Sequence, residues 1–411
     1  MPIRRILFLL LIALVLLFAG LRVPWVQERL AWRLLAAQAY VRGVLDPVEA
    51  LPAPDVQISV QAKPSATPLP SATPMPTEPG PTATSLPSPT PLPAAVQLEA
   101  PRYELQGPNN CGPATLSMYL NYYGWEGDQD LIAEEIKPVT QDRNVNIDEL
   151  VYYAQNWAGW LNSKFRVGGD LDLLKQFLTA GIPVLIEEGY YLDEVYWPND
   201  DQWAGHYLLV TGYDDAKGEF TVHDSFEGGP NHRLSYARVD EGWQQFNRVY
   251  MLAYLPHQEE AVRQILGEHW DVDFNRQHAL EVAQREVAED AQDAYAWFNI
   301  GMNEVYFGRW EQAAEAFDVA RSIGLPQRML RYQFGPFFAY YNSNRLDDLD
   351  ALVDYALRIT DVSEEARIWS GWSLYRKGNT DGAIEEFRLA YEYNPKSTYV
   401  QQALDFFGVA P

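Results

Sequence analysis

The chain has 411 residues, 47% of them hydrophobic and 13% aromatic, which is enough for two or three domains with packed cores. Its formal net charge of -25 argues against a nucleic-acid partner, because phosphate binding needs a basic face that displaces counterions. One cysteine, Cys111, excludes an intrachain disulfide and a thiolate metal cluster, so packing must stabilise the fold and the thiol is either a core residue or a reagent.

The first element in chain order is "ILFLLLIALVLLFAGL", Ile6 to Leu21, preceded by Arg4 and Arg5. The run is too uniformly apolar for a soluble amphipathic helix. A signal peptide and an uncleaved anchor both fit; Phe18-Ala19-Gly20 is a poor cleavage site, which favours an anchor within residues 1–46. Residues 47–95 include "KPSATPLPSATPMPTEPGPTATSLPSPTPLP". Proline at this density removes backbone donors and fixes φ, predicting an extended stalk rather than a core. A Ser/Thr-rich stalk after an anchor predicts a cell-membrane, single-pass protein with its later domains extracytoplasmic.

Residues 96–256 mix helix and strand. "CGPATLSMYLNYY", "NIDELVYYAQNW" and "DLDLLKQFLTAG" read as helices, followed by the strands "IPVLIEE", "GHYLLVTGYDD", "EFTVHDSF", "HRLSYARV" and "RVYMLAYLP". Helices first and strands afterwards predict an α+β domain with an antiparallel sheet. The stretch between the first strand and His206, rich in aromatics and acids, reads either as a cleft wall suited to extended or basic peptides or as a self-packed loop.

Residues 257–411 read as helices with an internal repeat. Gly301, Gly308, Ala313, Phe317 and Ala320 recur with the same internal spacing at Gly371, Gly378, Ala383, Phe387 and Ala390, and Asn344 and Ala356 mark a degenerate copy between them. The pattern resembles the tetratricopeptide repeat, an all-α solenoid whose small residues let paired helices pack closely. Such a surface implies a protein partner, or a stabilising appendage.

The chemistry centres on "ELQGPNNCGPATLSMYLNYYG". A thiol becomes a nucleophile when its anion is favoured, and Cys111 stands where a helix begins, with Pro113 tolerated in the first turn. The Gln106 side chain and the Cys111 backbone N–H are candidate donors to a developing oxyanion. Gln106-x4-Cys111-Gly-Pro-Ala resembles the active-site motif of papain-like cysteine peptidases, in particular family 39, which includes the leader peptidases of bacteriocin exporters. The resemblance covers about residues 100–255 and implies a His on one strand and an Asp on the next, which "AGHYLLVTGYDD" and "EFTVHDSF" supply as His206 and Asp224. Strand alternation puts Asp224 on the face of Phe220 and Val222, with His223 on the other; His232 begins a later strand without matching context.

The family residues thus imply a Cys111 nucleophile, a His206 base, an Asp224 orienting group and a Gln106 oxyanion donor, with a peptide or protein substrate and no cofactor or metal. A zinc site from Cys111, His206 and Asp224 would consume the thiolate and leave Gln106 without purpose. Ser225 follows Asp224 where the exporter peptidases often have proline, and no phosphate-binding loop is present, so leader cleavage is not implied. A catalytically inactive scaffold with the same fold and an acyl-transfer or cell-wall amide reaction are the alternatives.

Overall fold

The computed structural model describes residues 91–410 except 142–144 and 194–199, together with most of 33–54. The apolar run at 6–21 and most of the Pro-rich segment lie outside the described residues. Among the described residues no helix is long and apolar enough to cross a membrane. Near the amino end, Leu51 N–H donates to Gln327 Oε1 at 3.1 Å and Arg321 Nη2 to the Pro52 carbonyl at 3.0 Å, so this short stretch lies on the C-terminal helices.

A seven-stranded antiparallel sheet organises the first globular part. Its strands are β1 (Ala95–Gln97), β2 (Asn162–Arg166), β3 (Val184–Tyr191), β4 (Trp203–Asp214), β5 (Glu219–Asp224), β6 (Gly229–Ser235) and β7 (Tyr250–Tyr254). The order is β2-β7-β3-β4-β5-β6, with β1 added to β4, which makes β4 central. Its apolar character on both alternating faces follows from that position: Leu209, with Leu185 and Met251, enters one core, and Leu208 and Val210, with Val184 and Ile186, enter the other.

Helices α1 (Cys111–Tyr122), α2 (Gln129–Ile136) and α3 (Ile147–Trp157) cover the first face, while α4 (Leu171–Thr179), α5 (Tyr236–Gln244) and α6 (Glu259–Leu266) contribute to the second core. Tyr119 of α1 ties its helix to the sheet, its hydroxyl accepting from Ala253 N–H at 2.8 Å. α4 begins at an Asp170 cap that accepts from Leu173 N–H at 2.7 Å, and Gly181 follows its end with φ +76. The α+β architecture matches the expectation from the element order. The predicted strand "HRLSYARV" is half helix: Ser235 accepts from Arg238 N–H at 3.3 Å, ending β6 and capping α5. β1, β2 and α2 were not predicted; β2, "NSKFR", has no apolar alternation to mark it.

The rest is helical: α7 (Val272–Glu289), α8 (Ala294–Tyr306), α9 (Trp310–Ile323), α10 (Gly335–Asn342), α11 (Leu346–Ile359), α12 (Glu364–Arg376), α13 (Thr380–Tyr393) and α14 (Thr398–Phe407). The predicted small residues sit where helices touch. A Cβ at Gly301 would lie 2.5 Å from the Phe317 ring, and one at Gly371 2.6 Å from that of Phe387. Gly308, Asn344 and Gly378 take the same left-handed conformation between paired helices, at φ +66, +60 and +85. The region is compatible with repeats.

These helices lie against the sheet domain at several points. Gln333 Nε2 donates to the Gln245 carbonyl at 3.0 Å, Asn247 Nδ2 to Asn303 Oδ1 at 3.0 Å, and Asn146 Nδ2 to Glu365 Oε1 at 3.0 Å. Within the acidic stretch before His206, Asp200 and Asp201 form part of this seam. The Asp200 carboxylate is fully buried, bonded to Arg331 and to Tyr355 and 3.7 Å from Arg328, while Asp201 accepts from Arg328 N–H at 3.1 Å. Its end is therefore neither a cleft wall nor a self-packed loop but an anchor for the helical region.

Candidate active site

Cys111 is the first residue of α1, half-buried, and its helix has no side-chain cap. The Asn110 side chain turns instead to Gln129 Oε1 at 2.8 Å, which leaves the first-turn amides open toward an anion. His206 is buried on β4, and its Nε2 lies 2.8 Å from Asp224 Oδ1 at the end of β5. Register explains the pairing. Leu208 lies opposite Asp224, so His206 and Asp224 share a face at neighbouring positions. With Nε2 engaged, Nδ1 is the nitrogen left for the Cys111 thiol.

Asp224 is held firmly by its own turn. Phe226 N–H donates to Oδ1 at 2.7 Å and Gly228 N–H to Oδ2 at 2.8 Å. Burial pushes this carboxyl up, but the His206 hydrogen bond, the imidazolium charge and the two turn amides hold it far below the usual range. Burial pulls His206 down, yet hydrogen bonds to Asp224 and Cys111 and their charges push it up to about 10. For Cys111, burial raises the thiol, and the His206 hydrogen bond and charge, Lys137 and the Tyr207 backbone N–H bring it below its ordinary value. Both directions favour the charged forms of the pair, thiolate and imidazolium, over the neutral ones.

Gln106 stands at the other end of the Cys111 loop. Its backbone N–H donates to the Ser225 carbonyl at 2.8 Å, and the buried Ser225 hydroxyl donates to Gln106 Oε1 at 3.0 Å. The carbonyl end of the amide is thereby held, and among the described residues Nε2 has no acceptor. The Ser225 hydroxyl thus makes a bond that a proline at this position could not make. The loop is fixed from below by Gln129, whose Oε1 accepts from Gly107 N–H at 2.6 Å and whose Nε2 donates to the Leu105 carbonyl at 2.8 Å. Sequence reasoning missed Ser225 and Gln129; the departure after Asp224 pointed to the first, and nothing pointed to the second.

His223 is buried away from this set, its Nδ1 accepting from Asn231 N–H at 3.3 Å. Among the described residues no group of three or more His, Cys, Asp or Glu side chains is placed to hold a metal ion. The helical region reaches the site: Tyr332 and Cys111 line one narrow cavity, and a Cβ on Gly205, beside His206, would lie 3.0 Å from the Tyr332 ring.

Residues 91–251 match the Peptidase_C39 like family, a stretch that contains Gln106, Cys111, His206 and Asp224. No curated protein sequence matches the chain. Among solved structures, a putative C39-like peptidase from Bacillus anthracis aligns at 18% identity and TM-score 0.31, over 39% of this chain and 97% of its own. Xylellain, a cysteine protease from Xylella fastidiosa, aligns at 13% identity and TM-score 0.30, over 40% of this chain and 87% of its own. The family match covers the sheet domain, which in this chain is joined to a helical C-terminal region outside the match.

Proposed function

We propose that the chain is a membrane-anchored, extracytoplasmic cysteine peptidase. The observation that carries this reading is the His206–Asp224 bond of 2.8 Å in register with a thiol at a helix N-terminus. The Cys111 thiolate attacks a peptide carbonyl, and the oxyanion accepts from the Cys111 N–H and Gln106 Nε2. His206 gives its Nδ1 proton to the leaving amine. It then takes a proton from water, whose oxygen displaces Cys111 from the acyl-enzyme and releases the acid. Asp224 holds the imidazole and stabilises its charged form.

The apolar run at 6–21 anchors the protein, and the Pro-rich segment spaces the folded part from it. The helical region is a tetratricopeptide array that buttresses the catalytic domain and offers a surface for a protein partner. Externally added protease should digest residues 91–410 on intact cells; protection until the membrane is opened would overturn the extracytoplasmic placement.

The catalytic reading is tested on blocked peptide libraries analysed by mass spectrometry, where new termini should appear. Gln106→Ala should lower kcat by about 100-fold with little change in KM, as expected for an oxyanion donor. Ser225→Ala should lower kcat by about 10-fold, the order of one net hydrogen bond, while iodoacetamide labelling of Cys111 keeps its rate. A parallel fall in labelling would show that Ser225 supports the nucleophile rather than the oxyanion donor.

A further inference from the structure

β2 ends the sheet on one side, and the slot beside it is lined by Val151 and Gln155 of α3, Ser163 and Phe165 of β2, and Val272 and Arg276 of α7. One wall thus belongs to the sheet domain and the other to the helical region. The slot holds about 200 Å³, where a single water needs only about 10–15 Å³, so it has room for the end of a chain.

The strand edge in this slot is chemically one-sided. In an antiparallel pair, successive residues of an edge strand point their backbone groups alternately at the partner and off the sheet. On β7, Ala253 turns its N–H and carbonyl to the Tyr119 hydroxyl, away from β2, so its partner Ser163 points off the edge, and Phe165 with it. The two carbonyls there are already in use: that of Ser163 accepts from Gln155 Nε2 at 3.0 Å, and that of Phe165 from Arg166 Nη1 at 2.7 Å. Asn275 takes both backbone groups of Val167, the next outward residue. The N–H groups of Ser163 and Phe165 have no acceptor among the described residues. A through-running strand brings donors as well as acceptors to such an edge, whereas a carboxylate brings acceptors alone.

Arg276 adds further donors. Its guanidinium is half-buried between the rings of Tyr306 and Phe165, 5.0 and 6.0 Å from their centroids, and among the described residues it has neither a hydrogen bond nor an ion pair. The Asp148 charge acts on it without contact. Burial lowers the group to about 10, which leaves it charged at neutral pH. A planar fork of N–H donors, partly desolvated and without an acceptor, is matched by a carboxylate.

We infer that this slot binds the carboxyl-terminal end of a peptide whose last side chain is apolar, with the terminal carboxylate on Arg276 and the open N–H groups of β2. A terminal carboxylate stands next to its own side chain, which fits a guanidinium set among Val151, Phe165 and Val272. The net charge of -25 disfavours ligands that carry several carboxylates. The slot does not include Cys111, so the inference stands apart from the peptidase reading.

The test uses the full chain carrying Cys111→Ala, so that no peptide is cleaved, and fluorescence anisotropy of amino-terminally labelled alanine tetrapeptides ending in leucine or phenylalanine. The free acids should bind about 10-fold or more tightly than the same peptides as amides, the order of one charge-assisted contact. Arg276→Gln should bring that ratio to near one, and Arg276→Lys, which keeps the charge without the fork, should retain part of it. Arg276 makes no bond within the described protein, so cooperative unfolding should survive both substitutions. Equal binding of acid and amide, or no binding of either up to about 1 mM, overturns the inference. So does binding as tight as that of the free acids by acetate or by an amide ending in glutamate, because the chain end is then not what the slot reads.

Discussion

Cys111→Ala is expected to lower peptide hydrolysis on the order of 10⁶-fold while leaving the far-ultraviolet circular dichroism and cooperative unfolding in place. The thiol is half-buried and makes no bond that closes α1, so its loss removes the nucleophile and little else. His206→Ala should fall comparably. The double variant should fall no further than either single one, because the two act as a unit in forming the thiolate and protonating the leaving amine. Additive losses would mean that His206 acts separately from Cys111. Retained hydrolysis in Cys111→Ala would move the nucleophile elsewhere.

The second large effect is on stability. Asp200→Asn should destabilise the protein by about 3 kcal/mol, measured by urea unfolding, because it leaves buried guanidinium charge at Arg331 and Arg328 without that carboxylate. The same residue joins the strand connection before His206 to the helical region, through Arg331 and Tyr355. Loss should therefore separate unfolding of the helical region from that of the sheet domain. A single transition with an unchanged midpoint would show that the seam is held elsewhere.

The sequence made some of this legible because local chemistry carried it. Cys111-Gly112-Pro113 marks a helix start through residues that favour one, and the apolar run of β4 with the alternation of β5 places His206 and Asp224 at neighbouring positions on adjacent strands. Two close helix contacts were legible for a similar reason: a missing Cβ at Gly301 and Gly371 admits the Phe317 and Phe387 rings from the partner helix. What stayed hidden is tertiary. Gln106 and Ser225 are 119 positions apart, and Gln129 reaches the Cys111 loop from a helix with no motif of its own. The role of Asp200 was equally unreadable, since an acidic residue in a polar stretch looks solvated until its arginine partners, more than a hundred residues on, are seen.

The pH dependence of Cys111 alkylation by iodoacetamide, measured on wild type and His206→Ala between pH 4 and 10, tests the central claim most directly. Because burial alone raises the thiol and His206 contributes the largest opposing effects, removing His206 must move the inflection upward. The account predicts a wild-type rate plateau that extends well below the ordinary thiol range and is lost in the variant. A wild-type inflection near pH 8.5 that His206→Ala leaves in place would contradict it.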